Sequence, residues 1–371
     1  MLLSSFFAGA AFDQYFTLQV SRNPDREFIS MFLPLSFGSL LTSSGLLCLS
    51  YSTSIALACL SSFPIGCGCA IFALQTMTIV QTWFGDNSRA TATGIAMAGS
   101  GAGNFCISLA LQRIIDGSGW RSALRYEALL VLVVSLFGST LSFRKMPKPS
   151  SHPSVPRAAS LTFRQCVREQ PFIILILFKM VFGFGYLNFF VHVFAFAGDL
   201  GYSDDFAALA LALVGASSTL GRVLLGRAAD RIGTTRNLLL SMSALAICVL
   251  IWPHTRSKAA VLAVASCYGF FSGAFPSLPP SVLAEYFADI APASIFKVIG
   301  ACFLAEVLGT MLGPVIAGLL YEASGDYTTA SLYTGGVMIL AIVILSRIEP
   351  VETFKERHKK LSTAPLPPQA L

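Results

Sequence analysis

Charged side chains are scarce in this chain of 371 residues. Asp, Glu, Lys and Arg make up 12% of it and hydrophobic residues 54%, whereas soluble domains usually carry about twice that share of charge. Apolar runs of about 18 or more residues, long enough to cross a bilayer, recur between Phe28 and Ile348. The runs are continuously apolar rather than alternating, which excludes a transmembrane β-barrel. The sequence therefore predicts an all-α polytopic membrane protein.

Motifs of soluble enzymes and of metal sites are also missing. The chain has no P-loop, no G-x-S-x-G and no H-E-x-x-H sequence, so we do not expect an enzyme. Its nine cysteines lie mostly inside apolar spans without a matching Cys/His set, which argues against a metal site. The glycines between Gly99 and Gly103 follow no strand, so close helix packing explains them better than a dinucleotide loop. We expect no cofactor.

Basic residues are concentrated between the apolar spans. The net charge of +6 follows the positive-inside rule and does not indicate nucleic-acid binding. The segment 144–170, which is rich in proline, and the tail 349–371 are both basic, so we expect both on the cytoplasmic side, with both chain termini. The acidic loops around Asp199 and Asp326 would then face outside. A plasma membrane is favoured over an organelle, and the partners expected are the lipid bilayer and a small-molecule substrate.

Hydropathy divides the chain into two groups of spans. Residues 1–12 are apolar but too short to cross about 30 Å of hydrocarbon, so we interpret them as the end of a second helix, with helix one missing. The predicted units are an incomplete N-terminal half (1–143), a cytoplasmic linker (144–170), a six-helix half (171–348) and a tail (349–371). The ten complete spans are predicted at 28–50, 54–82, 89–113, 122–143, 171–196, 205–226, 237–253, 258–283, 295–320 and 329–348.

One loop motif lies between two spans of the second half. Gly226, Asp230, Arg231 and Gly233 follow a G-x-x-x-D-R-x-G spacing, and Arg236 lies just beyond. Glycine at the end of a membrane helix lets a neighbouring backbone approach closely. The Asp and Arg side chains could then bridge adjacent helices in one conformation and separate in another. The alternative is a basic turn that anchors a helix on its cytoplasmic side.

The loop motif resembles the signature between helices two and three, and between helices eight and nine, of the major facilitator superfamily of transporters. Gly9 and Asp13 repeat its first part in a degraded copy that lacks the Arg-x-Gly part. The resemblance implies a fold of two helical-bundle halves related by an axis along the membrane normal. It also implies that the motif, with Asp13 and Arg89, acts as a conformational latch.

Two longer blocks are similar to monocarboxylate-porter-like members of the superfamily. One runs from Trp83 through Arg89 to Gly103, and the other runs from Asp199 to Gly233 and is followed by the sequence Tyr-Gly-x-x-Ser-Gly that ends at Gly273. The resemblance implies a secondary-active transporter that moves a small organic anion by alternating access, with a proton as a candidate co-substrate.

Arg222 resembles the anion-facing arginine of that family. It could hold a carboxylate in two parallel hydrogen bonds, or it could snorkel to the cytoplasmic surface. Animal monocarboxylate carriers have an acidic residue four positions earlier, where this chain has Ser218. That departure argues against direct carry-over of proton–lactate symport.

Other polar residues inside the spans are candidates because an ionisable group in the membrane is costly. Glu306 could carry a proton, contact the substrate, or form a structural ion pair. Lys179 could attract the substrate or snorkel. His192 could titrate near neutral pH or simply pack among phenylalanines. Asn104 could bind the substrate or join helices.

An alternative hypothesis places the protein in a different functional class. The missing helix one would normally line the transport cavity, so the chain could be a truncated, non-transporting derivative that acts as a sensor or a scaffold.

Overall fold

The structure, a computed structural model, describes residues 27–85, 88–141, 161–291 and 294–363. Every regular element in these ranges is helical, and they contain no strand. The helices are α1 (Glu27–Ser50), α2 (Ile55–Trp83), α3 (Arg89–Ser118), α4 (Trp120–Leu141), α5 (Phe163–Cys166), α6 (Gln170–Tyr186), α7 (Asn188–Asp199), α8 (Asp204–Ile232), α9 (Thr234–Ile251), α10 (Lys258–Ser272), α11 (Ala274–Phe287), α12 (Ile295–Ala305), α13 (Val307–Ser324), α14 (Tyr327–Leu345) and α15 (Val351–Thr363).

The predicted all-α polytopic fold is confirmed. Nine stretches of the described chain are long and apolar enough to cross a membrane. A tenth helix, α3, has 30 residues and matches the predicted span 89–113. Its sequence includes several glycines and polar residues, and it packs against α8 of the second half.

Local sequence signals define several helix starts and ends. Ser54, Ser203 and Ser257 each accept a hydrogen bond from a backbone N–H of the next turn, which satisfies one of the free donors at a helix N-terminus. Gly233 separates α8 from α9 with a φ of 97°, a conformation that is readily open to glycine and strained for other residues. The turn between these helices is therefore a single residue.

Three of the predicted continuous spans are broken near their middle. The breaks lie at Leu187 between α6 and α7, at Gly273 between α10 and α11, and at Glu306 between α12 and α13. A Cβ on Gly273 would lie 2.7 Å from the carbonyl oxygen of Ser218 on α8, so this break lies against a closely packed neighbouring helix. Hydropathy predicted single helices here because a one-residue break leaves an apolar run intact.

The two halves meet along α3 and α8, and at one end of the bundle. The half-helices α11 and α12 extend from the second half onto α2 and α3 of the first half. Their continuations, α10 and α13, pack mainly against helices of their own half. Contact between the halves is therefore concentrated at the end of the molecule that contains Gly233.

The second half contains the main apolar core. Trp252 is buried between Phe189, Phe196 and Tyr327, with ring centroids 5.1–5.2 Å apart. Aromatic pairs at such distances stabilise a fold beyond the effect of area burial alone. Phenylalanines of the second half thus form part of this core.

The tail contains a helix that the sequence analysis did not predict. Phe354 of α15 is fully buried against the rings of Tyr286 and Phe287. Arg357 forms ion pairs with Glu169 at 2.9 Å and Glu349 at 2.7 Å. The tail is therefore packed on the second half, near the end of α11, at Phe354 and Arg357.

Candidate functional site

Asp230, from the loop motif, caps a helix of the opposite half. Its carboxylate accepts hydrogen bonds from the backbone N–H groups of Ala90 at 2.9 Å and Thr91 at 2.8 Å, and from the Thr91 hydroxyl. These N–H groups lie in the first turn of α3 and have no partner within that helix. The positive end of the helix dipole also favours a carboxylate. A single side chain therefore joins the two halves.

Glycines allow α3 and α8 to come this close. A Cβ on Gly226 would lie 2.5 Å from the carbonyl oxygen of Ala90. A Cβ on Gly94 would overlap the carbonyl oxygen of Arg222, and one on Gly101 would overlap the Thr219 hydroxyl. The helices therefore pack backbone to backbone at Gly226 and Gly94, and backbone to side chain at Gly101.

The predicted packing of the glycines from Gly99 to Gly103 is only partly correct. Among the described residues, no atom lies within 4 Å of a Cβ built on Gly99 or Gly103. Gly101, which lies between them, makes the close contact instead. The G-x-x-x-G pattern suggested the wrong face because the contact follows the spacing from Gly94 to Gly101.

The other predicted latch residues contribute differently. Arg231 and Arg236 are exposed, and neither forms an ion pair within the described chain, so Asp230 makes the bridge without them. Gly233 provides the turn after α8. Arg89 is buried and donates through Nε to the Phe84 carbonyl at 3.2 Å. Asp13 lies outside the described residues.

A buried polar cluster also crosses between the halves. Gln81 of α2 donates to the hydroxyls of Thr93 at 2.8 Å and Ser281 at 3.1 Å. All three side chains are buried, and Ser281 belongs to α11 of the second half. For Gln81 the sequence favours a role in joining helices over contact with a substrate. Only the crossing of α11 onto α2 and α3 brings these residues together.

Arg222 lies where α3, α8 and the break before α11 meet. Its Nη1 donates to the Met97 carbonyl at 2.6 Å and to the Ser100 hydroxyl, both on α3. A Cβ on Gly273 would lie 2.8 Å from its backbone nitrogen. The buried Nε–H has no hydrogen-bond partner among the described residues. The Nη1 group thus binds helix α3 of the opposite half, while the Nε–H donor has no partner among the described residues.

Polar groups surround this arginine on the side of the second half. The Tyr186 hydroxyl donates to the Ser272 carbonyl at 3.4 Å, and the Ser272 hydroxyl donates to that of Ser218 at 3.4 Å. Tyr186 is also close enough to Arg222 and to Glu306 to interact electrostatically with both. Tyr186 is therefore near both predicted ionisable sites.

Lys179 and Glu306 form an ion pair inside the bundle. The lysine side chain is 1% exposed and the glutamate 12%. The Lys179 ammonium also lies 3.5 Å from the carbonyl oxygen of Phe275 and 3.8 Å from the centroid of its ring. An isolated charge here would be costly, and pairing offsets that cost. The structure thus brings together two residues that the sequence analysis considered separately.

His192 contacts other residues than this group does. His192 Nε2 lies 3.1 Å from the Pro314 carbonyl oxygen, which joins α7 to α13, and its ring lies 5.9 Å from that of Tyr327. The contacts found for His192 do not include Arg222, Lys179 or Glu306. The side chain of Asn104 lies outside the described residues.

Comparison with known proteins decides the family. The family model described as Major Facilitator Superfamily matches residues 32–303, which is more than half of the chain. This chain is a member of the Major Facilitator Superfamily. It is therefore a multi-pass membrane protein of a transporter family, and the two-half fold predicted from its loop motif is confirmed.

Curated members of the superfamily with similar sequences include monocarboxylate transporters. Monocarboxylate transporter 13 of Bos taurus is 28% identical over 307 residues, which cover 82% of this chain and 70% of the relative. Monocarboxylate transporter 12 of Rattus norvegicus is 25% identical over 344 residues, which cover 84% and 70%. The predicted resemblance to monocarboxylate-porter-like members is confirmed.

Solved superfamily structures share the fold at low identity. The fucose:proton symporter of E. coli aligns with a TM-score of 0.68 and 15% identity, over 94% of this chain and 88% of the symporter. At this identity the likeness supports the fold alone.

Proposed function

We propose that this superfamily member is a secondary-active transporter that moves a small organic anion with one carboxylate by alternating access. Arg222 is the anion-binding group in this proposal. The observation that carries it is the guanidinium itself, which is held at the junction of both halves and has an unused, buried Nε–H. A donor of this kind is expensive to bury without a partner, and a carboxylate would satisfy it.

The charges near Arg222 support an anion with a single negative charge. Lys179 is already neutralised by Glu306, so Arg222 is the cation in this region that is not paired with a carboxylate within the described chain. One unpaired cation favours one carboxylate, because a second negative charge would be buried without compensation. The names of the curated monocarboxylate transporters that resemble this chain agree with this substrate class.

The contact between the halves supports alternating access. Asp230, the cluster around Gln81, and Arg222 all join the two halves, and α11 and α12 close over the same end. We assign this end to the cytoplasmic side, because the basic linker and tail adjoin it. The structure then corresponds to a state that is closed towards the cytoplasm, and release of these contacts would open it.

Counterflow in proteoliposomes tests the proposed substrate class. The purified full chain is reconstituted, vesicles are loaded with an unlabelled monocarboxylate, and entry of the labelled compound is followed for a panel of mono-, di- and tricarboxylates and sugars. We expect exchange of monocarboxylates. Lack of exchange for every compound would contradict the transport proposal and favour the sensor or scaffold reading.

Arg222→Gln tests the proposed binding residue. A charge-assisted hydrogen bond is worth about 1.5–3 kcal/mol, so we expect the apparent affinity for the monocarboxylate to fall by roughly 10- to 100-fold. Arg222→Lys should recover only part of the loss, because an ammonium lacks the planar fork. Arg227→Gln is the matched control, since Arg227 is exposed on the same helix. Equal affinities in Arg222→Gln and Arg227→Gln would refute the assignment.

A further inference from the structure

The ion pair between Lys179 and Glu306 lies at a break in a membrane helix. We propose that Glu306 is the proton-coupling group, and that its protonation opens this ion pair and releases α11 and α12 as the moving gate. This inference rests on the proposed transport function and adds to it the coupling ion and the structural device that responds to it.

Glu306 separates a fixed half-helix from a gating one. On one side, Gly309 of α13 packs against α6, where its Cβ would lie 2.6 Å from the Met180 carbonyl oxygen, and Gly313 would likewise overlap the Phe184 carbonyl oxygen. On the other side, α12 reaches across to α2 of the opposite half. Because α12 also packs on α6 around Lys179, its tilting needs that contact to open, whereas the glycines keep α13 attached to α6.

Lys179 connects the second gating half-helix to the same point. Its ammonium contacts Glu306 and the carbonyl and ring of Phe275, and Phe275 follows the break at Gly273 by two residues. A single cation on α6 thus holds the first turn of α11 and the end of α12. These are the half-helices that close one end of the bundle, so the ion pair holds the closed state.

Glu306 is the partner that a proton can reach. The Lys179 side chain is 1% exposed, and a carboxylate, a carbonyl and an aromatic ring surround its ammonium. The Glu306 side chain is 12% exposed. An ion pair in a medium of low dielectric constant is strong, so neutralising its carboxylate removes a large part of what holds the closed state. Lys179 is then the fixed counter-charge and Glu306 the titrating group.

The surroundings of Glu306 contain few competing charges. Within the part of the chain that the structure describes, the ionisable groups that interact with it include Lys179, Tyr186 and Cys302. The helix α2, which faces α12 from the other half, has no Asp, Glu, Lys or Arg. Other titratable groups on elements packed against α12 and α13 are Cys59, Cys67 and Cys69 on α2, Arg164 and Cys166 on α5, His192 and Asp199 on α7, Glu285 and Tyr286 on α11, Lys297 on α12, Tyr321 and Glu322 on α13, and Tyr327 and Tyr333 on α14.

The charges balance over one transport cycle. A proton from the compartment facing the open cavity binds the Glu306 carboxylate, while the substrate carboxylate binds Arg222. Both leave on the opposite side, and the ionised Glu306 then pairs again with Lys179. One positive and one negative charge cross together, so uptake should be electroneutral and driven by a pH gradient.

Two transport assays on Glu306→Gln separate coupling from transport. The neutral amide mimics the protonated carboxyl, so we expect counterflow of the monocarboxylate to remain within a few-fold of the wild type. Accumulation driven by an imposed pH gradient, and the proton influx measured with an entrapped pH dye, should fall at least tenfold. Glu306→Asp, which can still titrate, should recover pH-driven accumulation. Glu322→Gln, an exposed position on the adjoining half-helix, should behave as the wild type.

Hydrogen exchange tests the gate itself. At constant pH, we expect the amides of α11 and α12 in Glu306→Gln to exchange at least tenfold faster than in the wild type, while those of α14 stay unchanged. Unchanged exchange in α11 and α12 would overturn the gating part of the proposal.

The outcomes distinguish this inference from the transport proposal. If the wild type transports no carboxylate in either assay, the proposed function fails. If the wild type exchanges a monocarboxylate without pH-driven accumulation, or if Glu306→Gln keeps that accumulation, the coupling inference is overturned. If Glu306→Gln does not fold because Lys179 is left unpaired, the double variant Lys179→Met/Glu306→Gln replaces it. Loss of counterflow in a folded variant would also overturn the inference, since a neutral residue 306 should permit exchange.

Discussion

At the residue scale, the side chains that matter most are those that touch both halves. Asp230 does so through backbone N–H groups of α3, and Arg222 does so through a backbone carbonyl of the same helix. Every residue of α3 offers backbone groups, whatever its side chain. These contacts therefore depend on how closely α8 approaches α3 and not on which side chains α3 carries. Close approach of the two backbones is therefore what makes both contacts possible.

Asp230→Asn should weaken the closed state. A carboxylate at a helix N-terminus is worth up to about 2 kcal/mol in a partly buried position, which corresponds to a shift of roughly 30-fold in the equilibrium between closed and open states. We expect uptake per molecule in the membrane to fall, with little change in abundance. Asp205→Asn, an exposed change at the other end of α8, is the control. Unchanged uptake per molecule would exclude the latch role.

Gly94 and Gly99 form a matched pair on one helix. Gly94→Ala should place a methyl group on the Arg222 carbonyl, and overpacking of this kind costs about 1–3 kcal/mol. We expect a lower midpoint of thermal unfolding in detergent. Gly99→Ala meets no described atom within 4 Å, so its midpoint should be unchanged or slightly higher. A larger loss for Gly99→Ala than for Gly94→Ala would contradict the described packing of α3 on α8.

At the element scale, two of the broken spans each combine a half-helix that contacts the first half with one that stays within the second half. The half-helices that contact the first half are α11 and α12, near the basic loops. The breaks need no proline at the break residue itself, since Gly273 and Glu306 provide them. Each break also places a functional group close by, namely Arg222 at Gly273 and Lys179 at Glu306.

Phe354→Ala tests the attachment of α15. Replacing a buried phenylalanine by alanine costs about 3–5 kcal/mol, and this loss falls on a short surface helix rather than on the bundle. We expect trypsin to cleave after the basic residues of α15 much faster than in the wild type, while the midpoint of thermal unfolding of the bundle changes little. Glu356→Ala, an exposed position on the same helix, should leave the cleavage rate unchanged.

At the scale of the whole molecule, the sequence predicted the architecture better than the site. Hydropathy located the spans, because a run of about twenty apolar residues in a chain this poor in charge forms a membrane-spanning helix. The spacing from Gly226 to Gly233 indicated the superfamily. Nothing local signals that Lys179 meets Glu306, because 127 positions separate them. The packing of α6 on α12 and α13 determines that pairing. The sequence also did not predict the helix breaks at Leu187, Gly273 and Glu306, because a single residue hardly changes the hydropathy of a span.

The proposed orientation predicts that the linker and the tail share one side. Epitope tags inserted near residue 152 and after residue 371 should both become accessible to antibody only after permeabilisation of the plasma membrane. A tag in the loop after Asp199 should be accessible without it. Placement of the linker and the tail on opposite sides would overturn the span count and the assignment of the closed end to the cytoplasm.

The one-residue turn at Gly233 connects α8, which carries the proposed latch residue Asp230, to the lipid-facing helix α9. Because a single residue connects the two helices, we expect any displacement of the end of α8 to move α9 as well. The outer surface of α9 presents Leu240, Ile247 and Ile251, which would slide against the acyl chains during each opening. Mismatch between a helix and its bilayer costs fractions of a kcal/mol per Å, so turnover should vary with acyl-chain length even where substrate affinity does not. The membrane would then act as a mechanical load on this transporter.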